Sequence, residues 1–296
     1  MATRPLLLHF ADDLRLASAI AQVTGFDIAP IQNHRFPDGE IKLQLPAALP
    51  ARCIVLRSLH NPNEKLVELL LVARAARDFG SCHLTLVAPY LAYMRQDMAF
   101  QSGEVISQRV IGRFLADLFD SVITVDPHLH RVGKLSEAVP ATQAVSLSGA
   151  PLLADLIAQH HTNPLLIGPD EESAQWLAQA AAAHGFEHAV CKKVRHGDRE
   201  VDIALPGVSI AGRAVVLLDD VASSGHTLAA ATTQILAAGA SCVDVAVTHA
   251  LFAGDALQVI QRAGARHIWS TDCIAHPTNA VSMAAVLAST LISQNI

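Results

Sequence analysis

Short runs of branched apolar residues recur along this chain, each followed by an Ala- and Leu-rich stretch of helical period. Runs of roughly four to eight residues without polar alternation are strands covered on both faces, and such strands belong to parallel sheets joined by crossover helices. The pattern predicts an α/β fold. Strands are expected at 53–58 (CIVLRS), 84–90 (LTLVAPY), 122–126 (VITVD), 164–170 (PLLIGPD), 214–220 (AVVLLDD) and 242–250 (CVDVAVTHA). Helices are expected at 63–79, 104–119, 171–184 and 227–238, the last stopped by Gly239. With 296 residues, 51% of them hydrophobic and 16% charged, the chain can fill one large core or two ordinary ones.

An internal echo favours two. VAPY and then VITVD in the first half are matched by IGPD and then VVLLD in the second, each a strand ending in Pro and a later one ending in Asp. The small, turn-prone stretch VSLSGAP at 145–151 marks the boundary, giving domains 1–147 and 148–296, with the last helix a candidate to pack back on the first.

Composition narrows the partners. The net charge is −6 and no Lys/Arg stripe could neutralise a phosphate backbone, so no nucleic acid is expected and the partner is small. Five scattered cysteines, without a CxxC pair, indicate neither a disulfide framework nor a zinc site. No run of about 18 apolar residues predicts a membrane span, and LLLHF is cut off by Asp12 and Asp13 before it could serve as a signal-peptide core. A cytoplasmic protein in a reducing compartment is expected.

The stretch VVLLDDVASSGHTL, 215–228, concentrates the chemistry. Asp219 and Asp220 close a buried strand just before a helix, where ligands bind in open parallel sheets. The loop after them, low in bulk and rich in hydroxyls, offers backbone N–H groups and a helix N-terminus to an anion. Carboxylates beside a phosphate repel it unless they accept sugar hydroxyls or hold a divalent cation. A sugar phosphate suits both halves; acids and serines capping the next helix are the alternative. Neither GxxxxGK[ST] nor GxGxxG occurs, which removes P-loop kinases and dinucleotide-binding dehydrogenases.

The same stretch resembles the phosphoribosyl pyrophosphate loop shared by type I phosphoribosyltransferases and ribose-phosphate pyrophosphokinases. Five further motifs resemble the pyrophosphokinase family and stand in its order: HRFPDGE (34–40), APYLAYMRQD (88–97), VDPHL (125–129), GPDEESA (168–174) and KKVRHGDREVDI (192–203). The resemblance implies two phosphoribosyltransferase-like domains, each a mainly parallel sheet flanked by helices. It implies transfer of the diphosphoryl group of ATP to the anomeric hydroxyl of ribose 5-phosphate, leaving AMP. That reaction needs charge neutralisation and positioning, not an enzyme nucleophile.

By the same resemblance, Lys193 and Arg195 are catalytic cations on a flexible loop. Phe36, Asp38, Gly39 and Glu40, with Arg95 and Gln96, bind ATP. Asp219 and Asp220 grip the ribose; Ser223, Ser224, Gly225, His226 and Thr227 cradle its phosphate, with Arg195 bridging. His128 and Asp170, one from each half, are implied ligands of Mg2+, the histidine being the less expected donor for that ion. A homo-oligomer is implied, the Phe36 segment reaching a neighbouring subunit's site. The remaining alternatives are a transferase and a non-catalytic regulatory relative.

Three departures bear on these expectations. His226 replaces a usual Gly, and a positive φ at that position would strain it. MAFQSGEVIS after Arg-Gln-Asp, like the Lys-x-Arg loop, is closer to an archaeal-type branch and puts phosphate activation and ADP inhibition in doubt. EESA replaces the usual Gly-Gly after Pro-Asp.

Overall fold

The computed structural model describes residues 4–196 and 200–294, and the side chains of residues 193–202 also fall outside the description. The chain forms two compact units, Met1–Leu147 with Ser282–Ile296, and Ser148–Val281.

In the first unit the strands are β1 (Leu6–His9), β2 (Asp27–Pro30), β3 (Gln32–Arg35), β4 (Ile41–Gln44), β5 (Arg52–Leu56), β6 (His83–Ala88), β7 (Ser121–Val125) and β8 (Gln143–Leu147). Its helices are α1 (Leu14–Thr24), α2 (Pro62–Asp78), α3 (Ser107–Leu118) and the short α4 (Leu135–Ala138). Six strands form one parallel sheet in the order β2-β1-β5-β6-β7-β8. β3 and β4 form a separate antiparallel hairpin. The expected strands near 53, 84 and 122 lie in the sheet's interior with β1, and Ile54, Val55, Leu86, Val87, Val122 and Ile123 are sealed from water. Each such side chain contributes roughly 1.5–3 kcal/mol relative to exposure.

In the second unit the strands are β9 (Leu165–Gly168), β10 (Glu187–Val190), β11 (Lys192–His196), β12 (Glu200–Ala204), β13 (Ala214–Ala222), β14 (Cys242–Ala250), β15 (Ile268–Thr271) and β16 (Asn279–Val281). The helices are α5 (Ala150–His160), α6 (Ala174–His184), α7 (His226–Ala237) and α8 (Ala256–Arg262). The parallel sheet runs β10-β9-β13-β14-β15-β16, and β11 with β12 forms an antiparallel hairpin. A final helix, α9 (Ala284–Ser293), belongs to the first unit, where it packs on α1. Among the described residues no helix is long and apolar enough to cross a membrane.

Some expected boundaries are corrected. Residues 171–173 form a 3-10 turn before α6, not its first turn, and α3 begins at Ser107, after a non-helical approach from 104. Strand β13 continues two residues beyond Asp220, because Val221 and Ala222 still pair with His249 and Ala250 of β14. In the segment 192–203, expected as a flexible loop, the described residues carry β11 and β12 in antiparallel register, Lys192 opposite Ala204.

At the amino end of the second sheet a buried carboxylate is fully matched. Asp244 accepts from Arg266 Nη2 at 2.8 Å and Nε at 3.1 Å, pairs with His161 Nε2 at 2.7 Å, and accepts from the His267 backbone at 3.0 Å. Burial pushes its pKa up, but those bonds outweigh burial and hold it below the usual range.

Candidate active site

The carboxyl edge of the second sheet is where its chain direction reverses. From β9 the chain crosses to β10 on one side and, after the β11–β12 hairpin, returns to β13 on the other, so the ends of β9 and β13 bound the crevice in which ligands of such sheets bind. Leu217 pairs with Ile167 at the end of the β13–β9 ladder; Asp219 and Asp220 follow on β13 and Asp170 follows β9, near enough for the charges of Asp220 and Asp170 to act on Asp219. Three carboxylates, two on β13 and one just past β9, therefore converge.

Their electrostatics differ from those of Asp244. Asp220 is buried and its N–H donates to Asp219 Oδ1 at 3.0 Å. Burial and then the charges of Asp220 and Asp170 push the Asp219 carboxyl well above the ordinary range. Asp170 also caps the turn that follows it, accepting from Glu172 N at 3.1 Å. Its place depends on Gly168: a Cβ there would lie 1.9 Å from Ser173 Oγ and 2.4 Å from Leu177 Cδ1. A side chain at 168 would push that turn off the strand.

Beyond β13 the loop 223–225 is held by its own backbone. Ala222 and Ser223 carbonyls accept from Phe252 N at 2.9 Å and Ala253 N at 3.0 Å. Gly225 takes the left-handed conformation, φ +76°, and starts α7 with no side chain capping the first turn. The first amides of a helix have no partner within it, so the turn beginning at His226 and Thr227 presents N–H groups to an anion. Positive φ falls on Gly225, not on His226, which is the first helical residue; the strain that a histidine in place of Gly raised does not arise. A Cβ on Gly225 would also meet Ala256 O at 2.9 Å.

In the first unit the remaining expected residues occupy three segments. Phe36, Asp38, Gly39 and Glu40 form the tip of the β3–β4 hairpin, closed by Phe36 N to Glu40 O at 2.8 Å and by Glu40 N to Asp38 Oδ1 at 3.2 Å, with Gly39 at φ +95°. The Phe36 ring is exposed and rests edge-on against His34, centroids 4.8 Å apart. Arg95 and Gln96 follow β6: Arg95 is exposed, and Gln96 accepts from Ser107 Oγ at 3.0 Å. His128 follows β7 and packs its ring on His130 at 4.2 Å. Lys193 and Arg195 have backbone positions on β11, but their side chains lie outside the described residues.

The residues that sequence reasoning missed are buried charges in the first unit: Arg57, Asp13, Lys65 and Glu68. The signal available was the interruption of the apolar stretch 65–71 by Lys65 and Glu68 on a helix whose other core residues are aliphatic.

Comparison with known proteins fixes the lineage. Residues 6–118 match the N-terminal domain of ribose phosphate pyrophosphokinase, and residues 137–269 match the phosphoribosyl transferase domain. The ribose-phosphate pyrophosphokinase of Methanopyrus kandleri is 32% identical over 283 residues, 94% of this chain and 96% of its own. The chain belongs to the ribose-phosphate pyrophosphokinase family. A second pyrophosphokinase, from Halobacterium salinarum, is 33% identical over 291 residues, 97% of this chain and 100% of its own. The fold of the family is shared by the crystal structure of phosphoribosylpyrophosphate synthetase from Mycobacterium smegmatis, with a TM-score of 0.86 and 23% identity over 99% of this chain and 100% of that one.

Proposed function

We propose that this ribose-phosphate pyrophosphokinase family member transfers the diphosphoryl group of ATP to the anomeric hydroxyl of ribose 5-phosphate, giving 5-phosphoribosyl 1-pyrophosphate and AMP for nucleotide biosynthesis. The observation that carries this is the crevice between β9 and β13, where carboxylates stand beside an amide-presenting loop in a chain of that family. Asp219 and Asp220 accept the ribose hydroxyls, while residues 223–227 receive the 5-phosphate through backbone amides and the hydroxyls of Ser223, Ser224 and Thr227. No side chain is acylated or phosphorylated; the residues align donor and acceptor oxygens and balance charge.

Lys193 and Arg195 supply the positive charge that meets the transferring phosphates, Arg195 bridging to the sugar phosphate. Arg95 and Gln96 bind ATP, and Phe36, Asp38 and Glu40 take its adenosine end, contributed by a neighbouring copy of the chain in a homo-oligomer. Magnesium, for which His128 and Asp170 are the proposed ligands, would supply charge neutralisation at the phosphates. The fit rests on the acids: burial and the charges of Asp220 and Asp170 push the Asp219 carboxyl up, a field that a divalent cation with a preference for oxygen donors relieves. His128 enters on the family resemblance.

The test is AMP release from ATP and magnesium, with and without ribose 5-phosphate, in the intact chain and in Lys193→Ala. Sugar-dependent AMP formation that falls about 10²- to 10³-fold in the variant supports the assignment. No AMP from the intact chain, with ribose 5-phosphate still bound, turns the reading to a non-catalytic regulatory relative.

A further inference from the structure

The hairpin that carries Phe36, Asp38 and Glu40 is fixed to the first unit through matched side-chain spacings. On α2, Glu64 and Glu68 lie one turn apart on one face. On β3, Asn33 and Arg35 lie two residues apart on one face. Asn33 Nδ2 donates to Glu68 Oε1 at 2.8 Å, and Arg35 donates from both terminal nitrogens to the carboxylate of Glu64. The Arg35 pair is exposed and contributes little.

Glu68 differs because it is buried and held from behind. Its Oε2 accepts from Arg57 Nε at 2.8 Å, and Arg57 Nη2 lies 2.6 Å from the same oxygen. Arg57 in turn donates to Asp12 at 2.5 Å and Asp13 at 3.0 Å, its guanidinium 4.1 Å from the centroid of the Phe10 ring. An isolated two-stranded hairpin is marginal in water, so its tip has a defined place only insofar as something rigid holds it. The bond from Asn33 joins this hairpin to a carboxylate that is itself fixed by a buried guanidinium.

We propose that Glu68 and Asn33 are positioning residues for the nucleotide: the Arg57–Glu68–Asn33 chain of hydrogen bonds sets where Phe36, Asp38 and Glu40 meet ATP. This rests on the reading above that the hairpin tip binds the nucleotide. Neither residue touches the substrate in this proposal; each acts through the hairpin.

The first variant is Asn33→Ala, which leaves the buried Arg57–Glu68 pair whole. It should raise the KM for ATP about tenfold while the KM for ribose 5-phosphate stays within about twofold, the split expected when one hydrogen bond that orders one substrate's site is lost. Amide hydrogen exchange across 32–44 should quicken. Asn33→Asp alone sets a carboxylate against Glu68 and should be worse. Adding Glu68→Gln restores a donor facing an acceptor and should recover the KM for ATP, a rescue that loss of a generic packing contact would not give. If both Asn33 variants leave the KM for ATP unchanged while Phe36→Ala raises it, positioning by Asn33 is overturned and the nucleotide reading stands. If Phe36→Ala and Asp38→Ala both leave it unchanged, the nucleotide reading falls, and the positioning role with it.

Discussion

Counted within each unit, both sheets run second, first, third, fourth, fifth, sixth strand, and in both an antiparallel hairpin interrupts the chain between the second and third strands. The third strand in each is followed by a loop whose last residue is left-handed, Asn61 at φ +52° and Gly225 at φ +76°, and then by a helix, α2 or α7. Topology thus offers a crevice at the same place twice. The chemistry placed there is opposite. In the second unit the crevice gathers acids that repel one another, and its helix opens on His226, which keeps its N–H. In the first, α2 opens on Pro62, which has no N–H to offer, and the crevice is filled by Arg57 with Asp12, Asp13 and Glu68 and by Lys65 Nζ donating to Ser58 O at 2.7 Å. In one crevice the acids are matched by Arg57; in the other Asp219 is faced by two further acids.

Breaking the self-satisfied crevice should cost most. Arg57→Met leaves Asp13 and Glu68 buried without their cation and should lower unfolding free energy by about 3–5 kcal/mol, read from urea denaturation. A loss under about 1 kcal/mol would mean that the cluster is not what stabilises that edge.

The same crevice should show its charges in the pH dependence of stability. Burial and the charge of Asp12 raise the Asp13 carboxyl to about 6, and burial with the charge of Lys65 lowers His60 to about 4. The two signs oppose. Asp13's contribution is fully present below its unfolded value of 3.8 and is lost as pH rises through about 6; His60's is present above 6.5 and is lost as pH falls through about 4. In the intact chain the two contributions offset across this window. Asp13→Asn should leave stability falling on acidification there, with a slope of at most about 1.4 kcal/mol per pH unit. His60→Gln should leave it rising. Thermal melts from pH 4 to 7 decide, and parallel curves for both variants would refute the pairing.

The crevice of the second unit should give smaller changes. Gly225→Ala forces a side chain into φ +76° and against Ala256 O, and should cost about 1–3 kcal/mol together with affinity for ribose 5-phosphate, measured by melting and by calorimetric titration. Asp219→Asn removes one charge from a repelling group and should stabilise the unliganded chain by about 1 kcal/mol while weakening ribose 5-phosphate binding. A destabilising Asp219→Asn would erase the contrast between the two crevices.

Legibility in the sequence followed burial only in part: β1 and β15 are interior and buried, yet at four residues each neither was expected. The strands near 53, 84, 122, 164, 214 and 242 were readable because both their faces are covered, and aliphatic runs such as LTLV and VITV admit few other states. Edge strands were not readable. Asp27–Pro30 is largely exposed and β16 spans three residues, so neither carries an apolar run. The loop 223–227 was legible as chemistry because small and hydroxyl residues after two acids have few structural reasons to occur together. Arg57 and Glu68 were not: a charge in an apolar stretch does not name its partner, and their partners lie at positions 12, 13 and 33.

By itself, then, the sequence determined the α/β class, the family and the composition of the loop that follows β13, because these depend on local apolar period and on residues adjacent in the chain. Only tertiary structure decided that Gly225, not His226, takes the left-handed conformation, that Asp170 is brought close enough to act on Asp219, and that the hairpin tip is tied to a buried arginine. Those facts depend on backbone conformation and on which side chains are brought together from positions eleven or more residues apart, and neither is set by the identity of adjacent residues.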